Sequence, residues 1–110
     1  MSITKASELI GMKRIGDIVA SVLKEMRSYA RPGMTTKELD DFGGDLLRRA
    51  GAQSAPALAY GFPGWTCISV NQEVAHGIPS EKTILQEGDL INVDVSAMLD
   101  GYWADNGGSF

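Results

Sequence analysis

The sequence predicts an α+β fold in which two helices pack on an antiparallel sheet. In the first half of the chain apolar residues recur at helical spacing, and in the second half they alternate with polar residues, as in a strand with one exposed face. At 110 residues, 44% hydrophobic and 22% charged, the chain can bury one core but not two. We therefore expect a single domain over residues 1–110.

The first helix is expected over residues 5–30 and ends at Pro32-Gly33. Thr35 begins a second helix, because Thr35 and Glu38 match a capping box. Gly51 is the expected left-handed stop of that helix. The apolar stripes of the two helices are predicted to be Met12, Ile15, Val19, Val22 and Met26 in the first, and Leu39, Phe42, Leu46 and Leu47 in the second. The pair Gly43-Gly44 indicates a close contact with a neighbouring element.

The clearest strand pattern runs from Ile91 to Leu99 and is followed by Asp100-Gly101, a strong signal for a two-residue hairpin turn. Such a turn would pair Leu99 with Tyr102, Ser96 with Asp105 and Asp94 with Gly107. Asp94 and Asp105 would then be diagonal neighbours on one face, with backbones about 7–8 Å apart.

Two interpretations of this carboxylate pair remain open from spacing alone. The face is either simply exposed to solvent, where Asp is common, or it is a site for one or two hard divalent cations. Asp is a poor strand former, so two of them in one hairpin favour a functional reason.

Other candidate residues are fewer, since the chain has one cysteine and one histidine. This count excludes an internal disulfide and a four-ligand Cys/His zinc site. Taken alone, Cys67 is typical of a small core residue, and His76 of a surface or capping residue. The segment from Tyr60 to Trp65 is either a packed surface loop or the lining of an apolar pocket.

Charge is distributed unevenly. Residues 1–55 carry nine Lys/Arg and seven Asp/Glu, whereas residues 56–110 carry one Lys and seven Asp/Glu. An acidic second half suits cations better than nucleic acid. The apolar runs are too short to span a membrane, and the N-terminus lacks a signal-peptide pattern, so a cytoplasmic protein without nucleic-acid or membrane partners is expected.

Several short motifs resemble, in order and spacing, those of type I methionine aminopeptidases. They are Tyr60-Gly61-Phe62-Pro63, Cys67-Ile68-Ser69-Val70-Asn71, His76-Gly77-Ile78-Pro79, Glu87-Gly88-Asp89, Asn92-Val93-Asp94-Val95, Asp100-Gly101-Tyr102 and Asp105. The resemblance implies the pita-bread fold, in which two pseudo-symmetric halves each pack helices on antiparallel strands. This chain resembles the first half, and the implied activity is metal-dependent removal of the N-terminal methionine from nascent polypeptides.

The resemblance also implies roles for individual residues. Asp94 would chelate one metal ion and Asp105 would bridge two, the complete enzyme using two divalent ions (Co²⁺, Mn²⁺, Fe²⁺ or Zn²⁺). His76 would be the catalytic histidine that contacts the substrate amide. Tyr60, Phe62 and Cys67 would line the pocket for the methionine side chain.

In the family, the remaining His and Glu ligands and the general-base Glu come from the second half. We therefore expect weak or partial metal binding and negligible activity from this chain alone, and its partners would be N-terminal Met peptides and a complementary C-terminal half. The alternative is a non-catalytic half-domain that forms a homodimer or binds another partner. Asn106-Gly107-Gly108-Ser109 departs from the family's Thr-containing segment, and its two glycines are expected to soften the return strand.

Overall fold

The structure is a computed structural model that describes residues 6–55, 64–71 and 78–110. Two helices pack on one face of a four-stranded antiparallel sheet, which confirms the predicted α+β class. The elements in chain order are α1 (Ala6–Tyr29), α2 (Thr36–Arg49), β1 (Gln53–Ser54), β2 (Cys67–Val70), β3 (Ile91–Leu99) and β4 (Tyr102–Ser109). Neither described helix combines the length and the apolar character that a membrane span requires.

Strand β3 is the centre of the sheet. β1 and β2 both pair with β3, each over a different part of its length, and β4 pairs with it along the hairpin. The hairpin has the predicted register, with Leu99 opposite Tyr102 and Asp94 opposite Gly107. Asp100 and Gly101 both have positive φ, at 54° and 84°, as a two-residue turn that matches the strand twist requires.

The core lies between the helices and the inner face of the sheet. It contains the predicted residues Ile15, Val19, Val22 and Met26 of α1, together with Ile91, Val93, Val95 and Ala97 of β3. The prediction was wrong for Met12, whose exposed fraction is 54%. The ring of Tyr102 fills the space beside Gly11, so Gly11 rather than Met12 faces the sheet at this level.

The second helix follows its sequence signals closely. Thr35 Oγ1 accepts a hydrogen bond from the Glu38 backbone at 3.1 Å, and the Glu38 carboxylate accepts one from the Thr35 backbone at 3.0 Å. Gly51 has a φ of +80° directly after the helix. The predicted close contacts are confirmed, because a side chain at Gly43 would overlap the Met26 thioether and one at Gly44 would overlap an indole ring. Of the predicted stripe, Leu39 and Leu47 are buried and Phe42 and Leu46 are half-buried.

Candidate functional site

The face of the sheet opposite the helices carries the two predicted metal ligands. Directly paired residues point to the same side, so Cys67 of β2, Asp94 of β3 and Gly107 of β4 form one row across the sheet. Ser96 and Asp105 form the adjacent pair. The hairpin therefore places Asp94 and Asp105 on one face, as expected from the Asp100-Gly101 turn.

Asp94 lies over a position that has no side chain. A Cβ built on Gly107 would lie 3.3 Å from Cγ of Asp94 and closer still to its Oδ1 oxygen. The carboxylate thus occupies the space that any other residue at position 107 would take. Gly107 was expected only to soften the strand, yet the predicted register already placed it opposite Asp94, and that signal could have revealed its role.

Asp105 is the diagonal neighbour of Asp94, and both residues are exposed. The backbones of such neighbours lie about 7–8 Å apart, so that carboxylates can approach a common cation. No salt bridge between described residues involves either carboxylate. Two carboxylates on an open face suit a hard divalent cation, which prefers oxygen ligands and keeps water in its remaining positions.

The described residues contain no group of three or more His, Cys, Asp or Glu side chains that could hold a metal ion. Calcium and magnesium ions take six or more oxygen ligands, and structural zinc takes four. The described residues alone therefore do not assemble a complete coordination shell around Asp94 and Asp105.

Cys67 is the first residue of β2, and its side chain is half-buried beside Asp94. Burial raises the pKa of the Cys67 thiol, and the negative charges of Asp94 and Asp40 raise it further. Because only the thiolate is strongly nucleophilic, this raised pKa makes Cys67 a poor nucleophile. The other predicted site residues, Tyr60, Phe62 and His76, lie outside the described residues, and their roles stay predictions.

One residue that matters to this region was not singled out from the sequence. Asp40 of α2 is only 3% exposed and accepts hydrogen bonds from Trp65 and Thr66, immediately before Cys67. Burial raises the pKa of the Asp40 carboxyl, and these hydrogen bonds oppose the rise. In the sequence, helical spacing is the signal that could have distinguished Asp40 from the exposed Asp41, since Asp40 lies seven residues before the buried Leu47 and so on the same side of α2.

Both tryptophans now have a structural position. Trp65 packs on Gly44 of α2, beneath the start of β2. Trp103 is 54% exposed and pairs with Met98 on the same open face as the carboxylates. This face therefore has an acidic part and an apolar part.

Comparison with known proteins identifies the family. Residues 10–110 match the model of the metallopeptidase family M24. The chain belongs to this family. It is 54% identical over 110 residues to methionine aminopeptidase 2 of Bacillus subtilis (strain 168) and 52% identical to a methionine aminopeptidase of Staphylococcus epidermidis. Each match covers the whole of this chain but only 44% and 43% of the relative, and it lies in the N-terminal part.

Solved structures agree on the fold. The chain superposes on the methionine aminopeptidase of Rickettsia prowazekii with a TM-score of 0.89 at 33% identity. The corresponding enzyme of Thermotoga maritima gives 0.90 at 32%. Both matches cover all of this chain and 44% of the other. The predicted pita-bread architecture is thereby confirmed, with this M24 chain spanning less than half the length of the relatives it matches.

Proposed function

We propose that this M24 chain forms the N-terminal half of a methionine aminopeptidase catalytic unit and contributes Asp94 and Asp105 to its metal centre. The observation that carries the proposal is the placement of both carboxylates on one exposed face, with Asp94 lying over Gly107. The high identity to proteins named methionine aminopeptidases supports the substrate class, namely peptides or nascent chains with an N-terminal methionine.

The donor set fits divalent metal ions, which the family name implies. Asp94 would bind one ion, and Asp105 would bridge that ion and a second one. When bound, such ions polarise a peptide carbonyl and activate water for hydrolysis. Carboxylate ligands suit Mn²⁺ and Mg²⁺, whereas an added imidazole ligand favours Co²⁺, Fe²⁺ or Zn²⁺.

The substrate side of the site is proposed to consist of Tyr60, Phe62, Cys67 and His76. A thiol that burial keeps protonated behaves as a small apolar group, which suits a pocket for the methionine side chain. His76 would contact the scissile amide rather than a metal ion.

The chain alone is expected to have negligible peptidase activity. Two carboxylates leave most coordination positions of a divalent ion to water, so the ion is held weakly. A complementary half would supply the remaining ligands. The alternative of a non-catalytic, self-associating half-domain gains no support from these relatives, which are named as peptidases.

Calorimetric titration of Mn²⁺ tests the proposal directly. The wild-type chain is compared with the double variant Asp94→Asn/Asp105→Asn. The matched control is Asp17→Asn/Asp41→Asn, which removes the same charge from two exposed carboxylates that form ion pairs on the helices. Saturable binding is expected in the wild type and the control, and its loss is expected in the hairpin variant.

Absence of binding in the wild type, or equal binding in all three proteins, would contradict the metal site. Native mass spectra of the same samples show whether binding needs a dimer. Release of methionine from a peptide with N-terminal Met is expected to be negligible, and robust turnover by the monomeric chain would contradict the proposal that a second half is required.

A further inference from the structure

A buried carboxylate on α2 holds the segment that leads into the candidate site. Oδ1 of Asp40 accepts hydrogen bonds from the Thr66 backbone and from Thr66 Oγ1, each at 2.7 Å. The Trp65 N–H lies between both oxygens of Asp40, at 3.0 and 3.1 Å. Three donors from two consecutive residues therefore converge on one side chain.

We propose that Asp40 is a positioning residue for the candidate site, setting where β2 begins and hence where the Cys67 side chain stands beside Asp94. The inference rests on the proposed function only in assigning Cys67 and Asp94 to one site. Asp40 itself lies on α2, on the opposite side of the sheet from Asp94 and Asp105.

The cost of burying Asp40 indicates that it does more than fill space. No salt bridge between described residues reaches this carboxylate. Lys37 attracts it from beyond ion-pair distance, and the adjacent Asp41 repels it. A buried charge without a direct ion pair is costly, and an apolar side chain of similar volume would pack at lower cost. A carboxylate, however, accepts several hydrogen bonds at defined angles, so it fixes the backbone that donates them.

The hydrogen bonds end one residue before the site. Thr66 is fully buried, and Cys67 follows it as the partner of Asp94 in the β2–β3 ladder. Consecutive Cα atoms are about 3.8 Å apart across a trans peptide, so a displacement of Thr66 is transmitted to Cys67. A further hydrogen bond, from Ser54 Oγ to the Trp65 carbonyl at 3.1 Å, holds the same segment from β1.

The N-terminal turn of α2 also holds the segment that follows residues 72–77. The Thr36 hydroxyl accepts a hydrogen bond from the Ser80 backbone at 2.8 Å and donates one to the Ser80 carbonyl at 3.2 Å. A Cβ on Gly64 would lie 3.1 Å from Pro79 and 3.3 Å from Asp40. The range 56–63 contains the predicted pocket residues Tyr60 and Phe62, and the range 72–77 contains the predicted catalytic residue His76. The residues that directly follow these two ranges thus pack together against the N-terminal part of α2.

Alkylation of Cys67 by iodoacetamide in the metal-free chain tests this positioning, because Cys67 is the only cysteine. Asp40→Ala is expected to raise the alkylation rate about tenfold or more, because the free energy lost with a hydrogen bond to a charged group corresponds to a factor of about this size. Asp40→Asn keeps an oxygen acceptor for Thr66 and is expected to stay within about threefold of the wild type. Thr66→Val, which keeps the Asp40 charge and loses one donor, is expected to lie between them.

Two comparisons separate positioning from other effects. Val19→Ala weakens the core on α1, so an Asp40→Ala rate no higher than that of Val19→Ala would mean global loosening and overturn the inference. Both Asp40→Asn and Asp40→Ala remove the negative charge near the thiol. If the two variants are alkylated at equal rates, the loss of this charge explains the change, and the inference is also overturned. If Asp40→Ala does not fold, Thr66→Val takes its place in the comparison. An alkylation rate of Thr66→Val no higher than that of Val19→Ala would then overturn the inference. The assay needs no metal, so failure of Mn²⁺ binding defeats the proposed function without affecting this result.

Discussion

Replacing Gly107 with alanine is expected to lower metal affinity while leaving stability almost unchanged. The new Cβ would lie 3.3 Å from Cγ of Asp94 and nearer to its Oδ1, so the carboxylate must rotate. Asp94 is exposed, so solvent leaves room for this rotation, at a strain of about 0.5–1.5 kcal/mol for an off-rotamer side chain. Removing glycine from the strand offsets this by about 0.4–1 kcal/mol through the unfolded state.

The neighbouring glycine provides a matched control. Among the described residues, a Cβ on Gly108 would meet Leu23 alone, at an ordinary contact distance of 3.4 Å on the helix side of the sheet. Gly108→Ala therefore makes the same backbone change without touching Asp94. Its Mn²⁺ affinity is expected to equal that of the wild type.

The assay combines urea unfolding with calorimetric titration of Mn²⁺ for the wild type, Gly107→Ala and Gly108→Ala. We expect the free energies of unfolding to agree within about 1 kcal/mol, and the affinity of Gly107→Ala to fall about 10- to 100-fold, as for groups that orient metal ligands. Equal Mn²⁺ affinities for the two variants would refute the reasoning that the placement of Asp94 over Gly107 matters.

Three further predictions concern the framework of the site. Thr35→Ala removes the side-chain acceptor of the capping box and is expected to cost about 1 kcal/mol in urea unfolding, with Thr35→Ser close to the wild type. Gly44→Ala places a methyl group against the Trp65 indole, so a loss of about 1–3 kcal/mol and a shifted tryptophan emission are expected. A hydrogen bond from the Asn71 amide is the main cause that lowers the pKa of Asp89 below its usual 3.8. The stabilisation from Asp89 is therefore present above that value and lost as pH falls through the lowered pKa, so the urea-midpoint difference between wild type and Asp89→Asn should shrink in acid.

The hairpin and the second helix could be predicted because their signals are local. Asp100-Gly101 specifies a two-residue turn, and the alternation from Ile91 to Leu99 fixes which side chains face the core. Once turn and alternation agree, the register follows, and with it the shared face of Asp94 and Asp105. The capping box at Thr35 is likewise complete within four residues.

The features that escaped prediction depend on contacts between distant parts of the chain. Met12 fits the helical stripe, but the ring of Tyr102, ninety positions away, decides that Gly11 faces the sheet instead. Helical spacing places Asp40 rather than Asp41 on the side of the buried Leu47, but the hydrogen bonds that Asp40 accepts come from Trp65 and Thr66, far away in the sequence. No pattern within α2 indicates those hydrogen-bond partners.

The alternation of β-strands explains how a buried carboxylate can influence an exposed site. Successive side chains of a strand point to opposite faces, so Thr66 points toward Asp40 and the helices while Cys67 points toward Asp94 and the open face. A residue cannot shift along the strand without moving its neighbour, and a slip of one position would exchange the two faces. Fixing Thr66 in the core is therefore a direct way to fix Cys67 at the surface. A carboxylate suits this task better than an apolar residue, because hydrogen bonds constrain direction as well as distance.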